Sequence, residues 1–111
     1  MLRHEFVLAR FDEIEHGISY KTINRTNEII VPDSSIVNSR AFLTGFISHW
    51  DIWGNPHCGL NYHGISIISA EHISEFEQSI SRVRFRRGVR KLLHLCEKAK
   101  KENLFIVHIG I

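Results

Sequence analysis

The chain has 111 residues, 43% of them hydrophobic and 23% charged, the size and balance of one globular domain spanning 1–111 rather than of several domains or a low-complexity polymer. Arg3, His4 and Glu5 stand where an export signal needs an uninterrupted apolar stretch, and no window approaches the roughly 18 apolar residues of a membrane span. The expectation is a soluble, cytoplasmic protein without membrane contact, in which Cys58 and Cys96 are free thiols rather than a bridge.

Charge is unevenly placed. Residues 1–80 hold five Lys and Arg against ten Asp and Glu, a net of −5, whereas residues 81–111 hold nine against two, a net of +7. A separation on this scale steers association with a charged partner and says little about the fold.

In chain order, residues 2–11 carry Phe6 and Leu8 on one side of an alternating pattern and predict a strand, followed by a turn through the acidic run 12–15 to Gly17. Residues 20–23 and 28–31 predict a hairpin around the Asn-rich stretch 24–27, and Pro32 ends it because proline cannot donate a ladder hydrogen bond. Asp33, Ser34, Ser35 and Asn38 offer N-caps for a buried helix in which Phe42, Phe46, His49, Trp50 and Trp53 recur at helical spacing, joined by Leu43 and Ile47 and stopped by Gly54-Asn55-Pro56. A glycine-punctuated loop over 57–64 leads to a β-branched strand at 65–68. Ser69 then caps a second helix with Ile73, Phe76, Ile80 and Val83 on one face. Past Gly88 a third helix follows, with Val89, Leu92, Leu93, Cys96 and Ala99 inward, Lys98, Lys100 and Lys101 at its end, and Asn103 closing it. Residues 104–109 are apolar on both faces, the signature of a strand buried in mid-sheet. These elements make a small α+β domain with a mostly antiparallel sheet, three helices and a buried C-terminal strand. The two-helix passage from Ile68 to Leu104 is long enough to be a crossover that would make part of the sheet parallel.

The densest set of potential metal ligands is His49, His57, Cys58 and His63, but none of the common zinc spacings is present, and neither a metal nor a cofactor is expected. Cys58, His63 and Asp51 contain the residue types of a nucleophilic site without any flanking signature, so the chain is not expected to be an enzyme. Gly54, Gly59 and Gly64 are spaced by five, which matches neither a P-loop nor a dinucleotide fingerprint and points to turns.

Two charged regions remain. The basic stretch 82–101 is of the kind that phosphate backbones attract, but a nucleic-acid binder usually adds exposed aromatics between its cations, and the apolar residues here read as core. Its ordinary role is a solvated helix face. The acidic residues Asp12, Glu13 and Glu15, with Glu28 and Asp33 across the predicted hairpin, have two readings: ordinary solubility charge, or a decoy surface for a cationic partner such as a nuclease built to hold phosphates.

The run Phe46-Ile47-Ser48-His49-Trp50, the run Gly59-Leu60-Asn61-Tyr62-His63-Gly64-Ile65-Ser66-Ile67-Ile68 and the ending His108-Ile109-Gly110-Ile111 resemble small immunity proteins of bacterial toxin systems, those of contact-dependent growth inhibition above all. That resemblance implies a cytoplasmic protein that binds its cognate toxin domain, often a nuclease, and blocks its active site or access to substrate. It brings no catalytic residues and no fixed contact surface. The expected contacts are therefore read from charge and aromaticity: Asp12, Glu13, Glu15, Glu28 and Asp33, with Trp53 and Tyr62 as aromatic anchors. The alternative is a small nucleic-acid-binding regulator working through Arg82, Arg84, Arg86, Arg87, Arg90 and Lys91.

Overall fold

The computed structural model describes residues 2–15, 27–43 and 45–111. The chain begins with β1 (Arg3–Ala9), whose alternation puts Phe6 and Leu8 against one core and Val7 and Ala9 against another. The short helix α1 (Phe11–Glu15) follows, then β2 (Ile29–Pro32), the single turn α2 (Asp33–Ile36) and a 3-10 turn at Arg40–Phe42. Next come β3 (Ile47–Trp50), β4 (Pro56–Cys58) and β5 (Ile65–Ile68). Helix α3 (Ile73–Ile80) lies between 3-10 turns at Ala70–His72 and Ser81–Val83, and α4 (Val89–Glu102) leads into β6 (Phe105–Ile109).

The six strands form one sheet in the order β2-β1-β6-β5-β3-β4, and every pairing is antiparallel. As its two apolar faces require, β6 sits inside the sheet between β1 and β5. One face packs Phe6, Val31, Ile68 and Ile106 against Phe76, Ile80, Leu92, Cys96 and Ala99 of α3 and α4. The other gathers Val7, Ile67 and Val107 under Ile14 of α1, with Trp53, Ile65 and Phe105 packed at its margin.

Two expectations need correction. The predicted helix over 42–53 does not form: only a 3-10 turn stands at its start, and residues 47–50 are β3. The spacing of Phe46, Trp50 and Trp53 is satisfied instead by a strand and a turn. Ser48 and Trp50 share one face of β3, where the Ser48 hydroxyl and the Trp50 indole N–H both donate to the Gly59 carbonyl. Asp51, with φ of 65°, then reverses the chain so that Trp53 returns over the opposite face. The expected loop 57–64 loses its first residues to β4, which hydrogen-bonds to β3. Gly59 could not be another residue without movement: φ is 74°, and a Cβ would collide with the Leu43 carbonyl.

Nor is any part of the sheet parallel. One helix between neighbouring strands delivers the chain to the end from which it left, giving parallel pairing, whereas two helices make a round trip and reverse it. Here α3 descends and α4 climbs back, tied by Lys100 to Glu77, so β6 enters antiparallel to β5. Of the predicted hairpin, the second strand is β2 and pairs with β1; residues 20–23 lie outside the described part.

Candidate functional site

The acidic α1 grows directly out of β1. The Arg10 backbone N–H donates to the Glu13 carboxylate at 3.0 Å, and the Glu13 and Ile14 N–H groups donate to the Arg10 carbonyl, so the turn closes on its own acid. Ile14 is buried beneath it, which sends Asp12 and Glu15 to solvent and leaves Glu13 half-exposed. The Arg10 guanidinium lies 3.3 Å from Asp12 and 3.6 Å from Glu13. Both pairs are exposed and contribute little, so an incoming cation exchanges with them readily.

Beside these carboxylates the Phe11 ring meets Trp53 edge-on at 6.0 Å, and Trp53 packs on His49 at 4.0 Å and on Phe105 at 5.3 Å. Burial, and then the charge of His72, pushes the His49 imidazole below its ordinary value, which keeps it an apolar partner for the indole. Phe11 is 47% exposed and Ile52 68% exposed. The fold therefore unites Asp12, Glu13, Glu15 and Trp53 of the expected set through the Phe11–Trp53 contact and adds Phe11, with Ile52 exposed next to Trp53 in the chain; the sequence reading passed over both. Phe11 had the signal of an aromatic abutting an acidic run; Ile52 had none, because its exposure depends on the reversal at Asp51.

The remaining three residues go elsewhere. Glu28 is half-buried in a hollow with Lys91, His94 and Lys98 of α4. Asp33 and Tyr62 belong to a buried chain at the other end of β1. The His4 Nε2–H donates to Asp33 at 2.8 Å, His4 Nδ1 and His108 Nε2 are 2.8 Å apart, and His108 Nδ1 lies 3.1 Å from the Ser66 hydroxyl. The Asn61 N–H donates to Ser66 Oγ at 2.7 Å. Asp33 only accepts, so His4 donates to it from Nε2, and the line runs on through His4 Nδ1 and both ring nitrogens of His108 to the Ser66 hydroxyl. Burial works to raise the Asp33 pKa, but hydrogen bonds from His4 and Tyr62, with the attraction of His4, outweigh it and hold the carboxyl below its ordinary value. Accepting from Tyr62, Asp33 in turn holds that phenol above its own. The order Asp-His-His-Ser has the connectivity of a nucleophile relay, yet His4, His108 and Ser66 are fully buried and no substrate reaches the hydroxyl.

The candidate nucleophile set does not assemble. Cys58 is exposed on β4, while the Asp51 carboxylate is engaged by the Ile65 N–H at 3.2 Å and the Asn61 amide at 3.5 Å, and no hydrogen bond links Cys58 to His63 among the described residues. His49 and His57 occupy opposite faces of the β3–β4 ribbon, His57 stacking on Trp50 at 4.2 Å, so they do not share an ion. Among the described residues no group of three or more His, Cys, Asp or Glu is placed to hold a metal. Their longest helices are also too short or too polar to cross a membrane.

The basic stretch divides in two. At the C-terminal end of α4, Lys98 pairs with Glu102 and Lys100 with Glu77 and Glu97, as a dipole-favourable face should. At the N-terminal end Arg82, Arg84, Arg86, Arg87, Arg90 and Lys91 are all exposed, and no carboxylate among the described residues is within ion-pair distance of them. In their midst Phe85 is 72% exposed, with the Arg86 guanidinium 5.3 Å from its ring centroid. The expectation that every apolar residue here serves the core therefore fails at Phe85, which falls outside both helical stripes, Ile73 to Val83 and Val89 to Ala99.

Comparison with protein-family models, with curated proteins and with solved structures found no match in any of the three.

Proposed function

We propose that this is a cytoplasmic protein that neutralises a toxin domain by binding it through the surface formed by Phe11, Ile52, Trp53 and the α1 carboxylates. The observation that carries the reading is the Phe11–Trp53 ring pair, partly exposed and bordered by Asp12, Glu13 and Glu15. Aromatic anchors that insert into a partner supply most of an interface's energy, and carboxylates around them suit a cationic groove such as the substrate channel of a nuclease. Sitting there, the domain would shut substrate out without any chemistry of its own. The resemblance of the segments around His49, Tyr62 and His108 to immunity proteins supports the same reading. Affinity capture from the native cell extract identifies the partner, and binding kinetics with that partner then test the surface. Trp53→Ala should weaken the complex on the order of thirtyfold or more, and Glu15→Lys should slow association at low salt. Capture of no protein, or a partner indifferent to both changes, overturns the reading.

A second reading, a nucleic-acid-binding regulator, is favoured by Phe85, the exposed aromatic that such a surface requires between its arginines. It predicts a mobility shift of labelled RNA or DNA at low ionic strength that fades steeply with added salt. Absence of a shift removes it.

A further inference from the structure

A cavity of about 380 Å³ opens between the Arg40–Phe42 turn and the end of α3, within the range of small-ligand sites. Arg40 and Arg82 line it, and neither has a carboxylate partner among the described residues. Asn38 and Gln78 line it as well; both are exposed, and their side-chain amides make no hydrogen bond among the described residues, so donors and acceptors stand open in both. The two serines of the lining are already committed, Ser39 to the Ile36 carbonyl and Ser79 to the Phe76 carbonyl. The Glu75 carboxylate, one oxygen of which meets His72 Nδ1 at 3.1 Å, also lines it, and Val83 gives an apolar wall. Phe85 stands two residues beyond Val83, on the same turn as Arg84 and Arg86.

Each component has a counterpart in an unpaired nucleotide. Carboxamides pair bidentately with base edges, arginines with phosphates, and an exposed ring stacks on a base face whatever its identity. We propose that the cavity takes one unstacked base of a single-stranded polynucleotide, read by Asn38 and Gln78, while the adjoining base stacks on Phe85 and Arg40, Arg82 and Arg86 hold the phosphates. The inference rests on the nucleic-acid reading of the arginine surface and adds base selectivity to it. It is independent of the toxin-binding surface, which lies near the opposite end of α4: Arg10 and Glu13 share a hollow with Glu102, about 20 Å along a helix of this length from Arg90.

The test is fluorescence anisotropy with labelled oligo-U, oligo-A and oligo-C and their DNA counterparts, across a salt series. The full chain should prefer one base by on the order of tenfold. The double variant Asn38→Leu/Gln78→Leu should erase that preference while leaving the salt dependence intact. Phe85→Ala should weaken all sequences alike, by on the order of tenfold. All three side chains are exposed, and circular dichroism confirms that the variants fold. If no oligonucleotide binds at low salt, the arginine-surface reading falls and the cavity with it. If oligonucleotides bind and Phe85→Ala weakens them, but no base is preferred or the preference survives in the double variant, the cavity inference alone falls.

Discussion

Asp33 shows how a residue's role is set by what its neighbours bury. In the sequence it is one acid among several; in the fold it is the anion at the end of a line of buried hydrogen bonds through His4 and His108 to Ser66. The in-phase positions of His4 with Phe6 and of His108 with Ile106 made their burial legible, but nothing in the sequence joins two residues 104 positions apart. Burial first, and the neighbouring His4 second, push the His108 pKa well below its ordinary value of 6.5, and burial lowers that of His49 too. Both imidazoles thus bind protons more readily in the unfolded chain, and stability present above pH 6.5 is lost as pH falls below it, at about 1.4 kcal/mol per unit of depression. Asp33 acts in the same direction only below its own ordinary value of 3.8. Urea denaturation at pH 7.5, 6.5 and 5.5, roughly a unit either side of an ordinary histidine pKa, should show a falling midpoint, and His108→Gln should flatten the trend while lowering stability throughout.

At the scale of elements, α4 has a conflict at its start. Gly88, in the left-handed region at φ 82°, begins the helix, and a Cβ there would come within 3.1 Å of the Ile30 carbonyl. No side chain caps the first turn, which contains no acid, while Arg90 and Lys91 stand in it and Arg86 and Arg87 just before it. These cations face the positive pole of the helix and cost stability rather than add it. Arg90→Glu should therefore raise the unfolding free energy by about 0.3–1 kcal/mol, read as a higher urea midpoint, while weakening any polyanion binding. A loss of stability instead would mean that the arginine surface holds the helix start together. The end of α4 was legible from sequence, with Lys100 and Lys101 in the last turn and Asn103 at φ 55° closing it. The segment 42–53 was not, because aromatic spacing of three and four fits a helix and also fits a strand followed by a reversal; the deciding features, β3 pairing to β5 and the Gly59 carbonyl, lie elsewhere in the chain.

For the whole molecule, part of the charge asymmetry between residues 1–80 and 81–111 becomes two patches, Asp12, Glu13 and Glu15 on α1 and the arginines around Phe85, while Glu28, Asp33 and Glu77 are drawn elsewhere. The acidic one is joined to Phe11 and Trp53 and the basic one to Phe85. Closing the sheet depends on β6, which pairs with β1 on one side and β5 on the other and contributes Ile106 and Val107 to opposite cores. Removing residues 104–111 opens both cores at once, so such a chain should show no cooperative urea transition, whereas Phe85→Ala should leave the transition unchanged. By itself, the sequence determined the α+β class, strands within 2–11, 65–68 and 104–109, the helices α3 and α4, and the sign of charge in each half, because these follow from composition and local periodicity, although the Ser69 side chain expected to cap the second helix makes no hydrogen bond there among the described residues. Only the tertiary structure decided the antiparallel return of β6, the split of the expected contacts between an exposed patch and a buried hydrogen-bonded line, and the exposure of Phe85, because each depends on which distant groups meet once the sheet has closed.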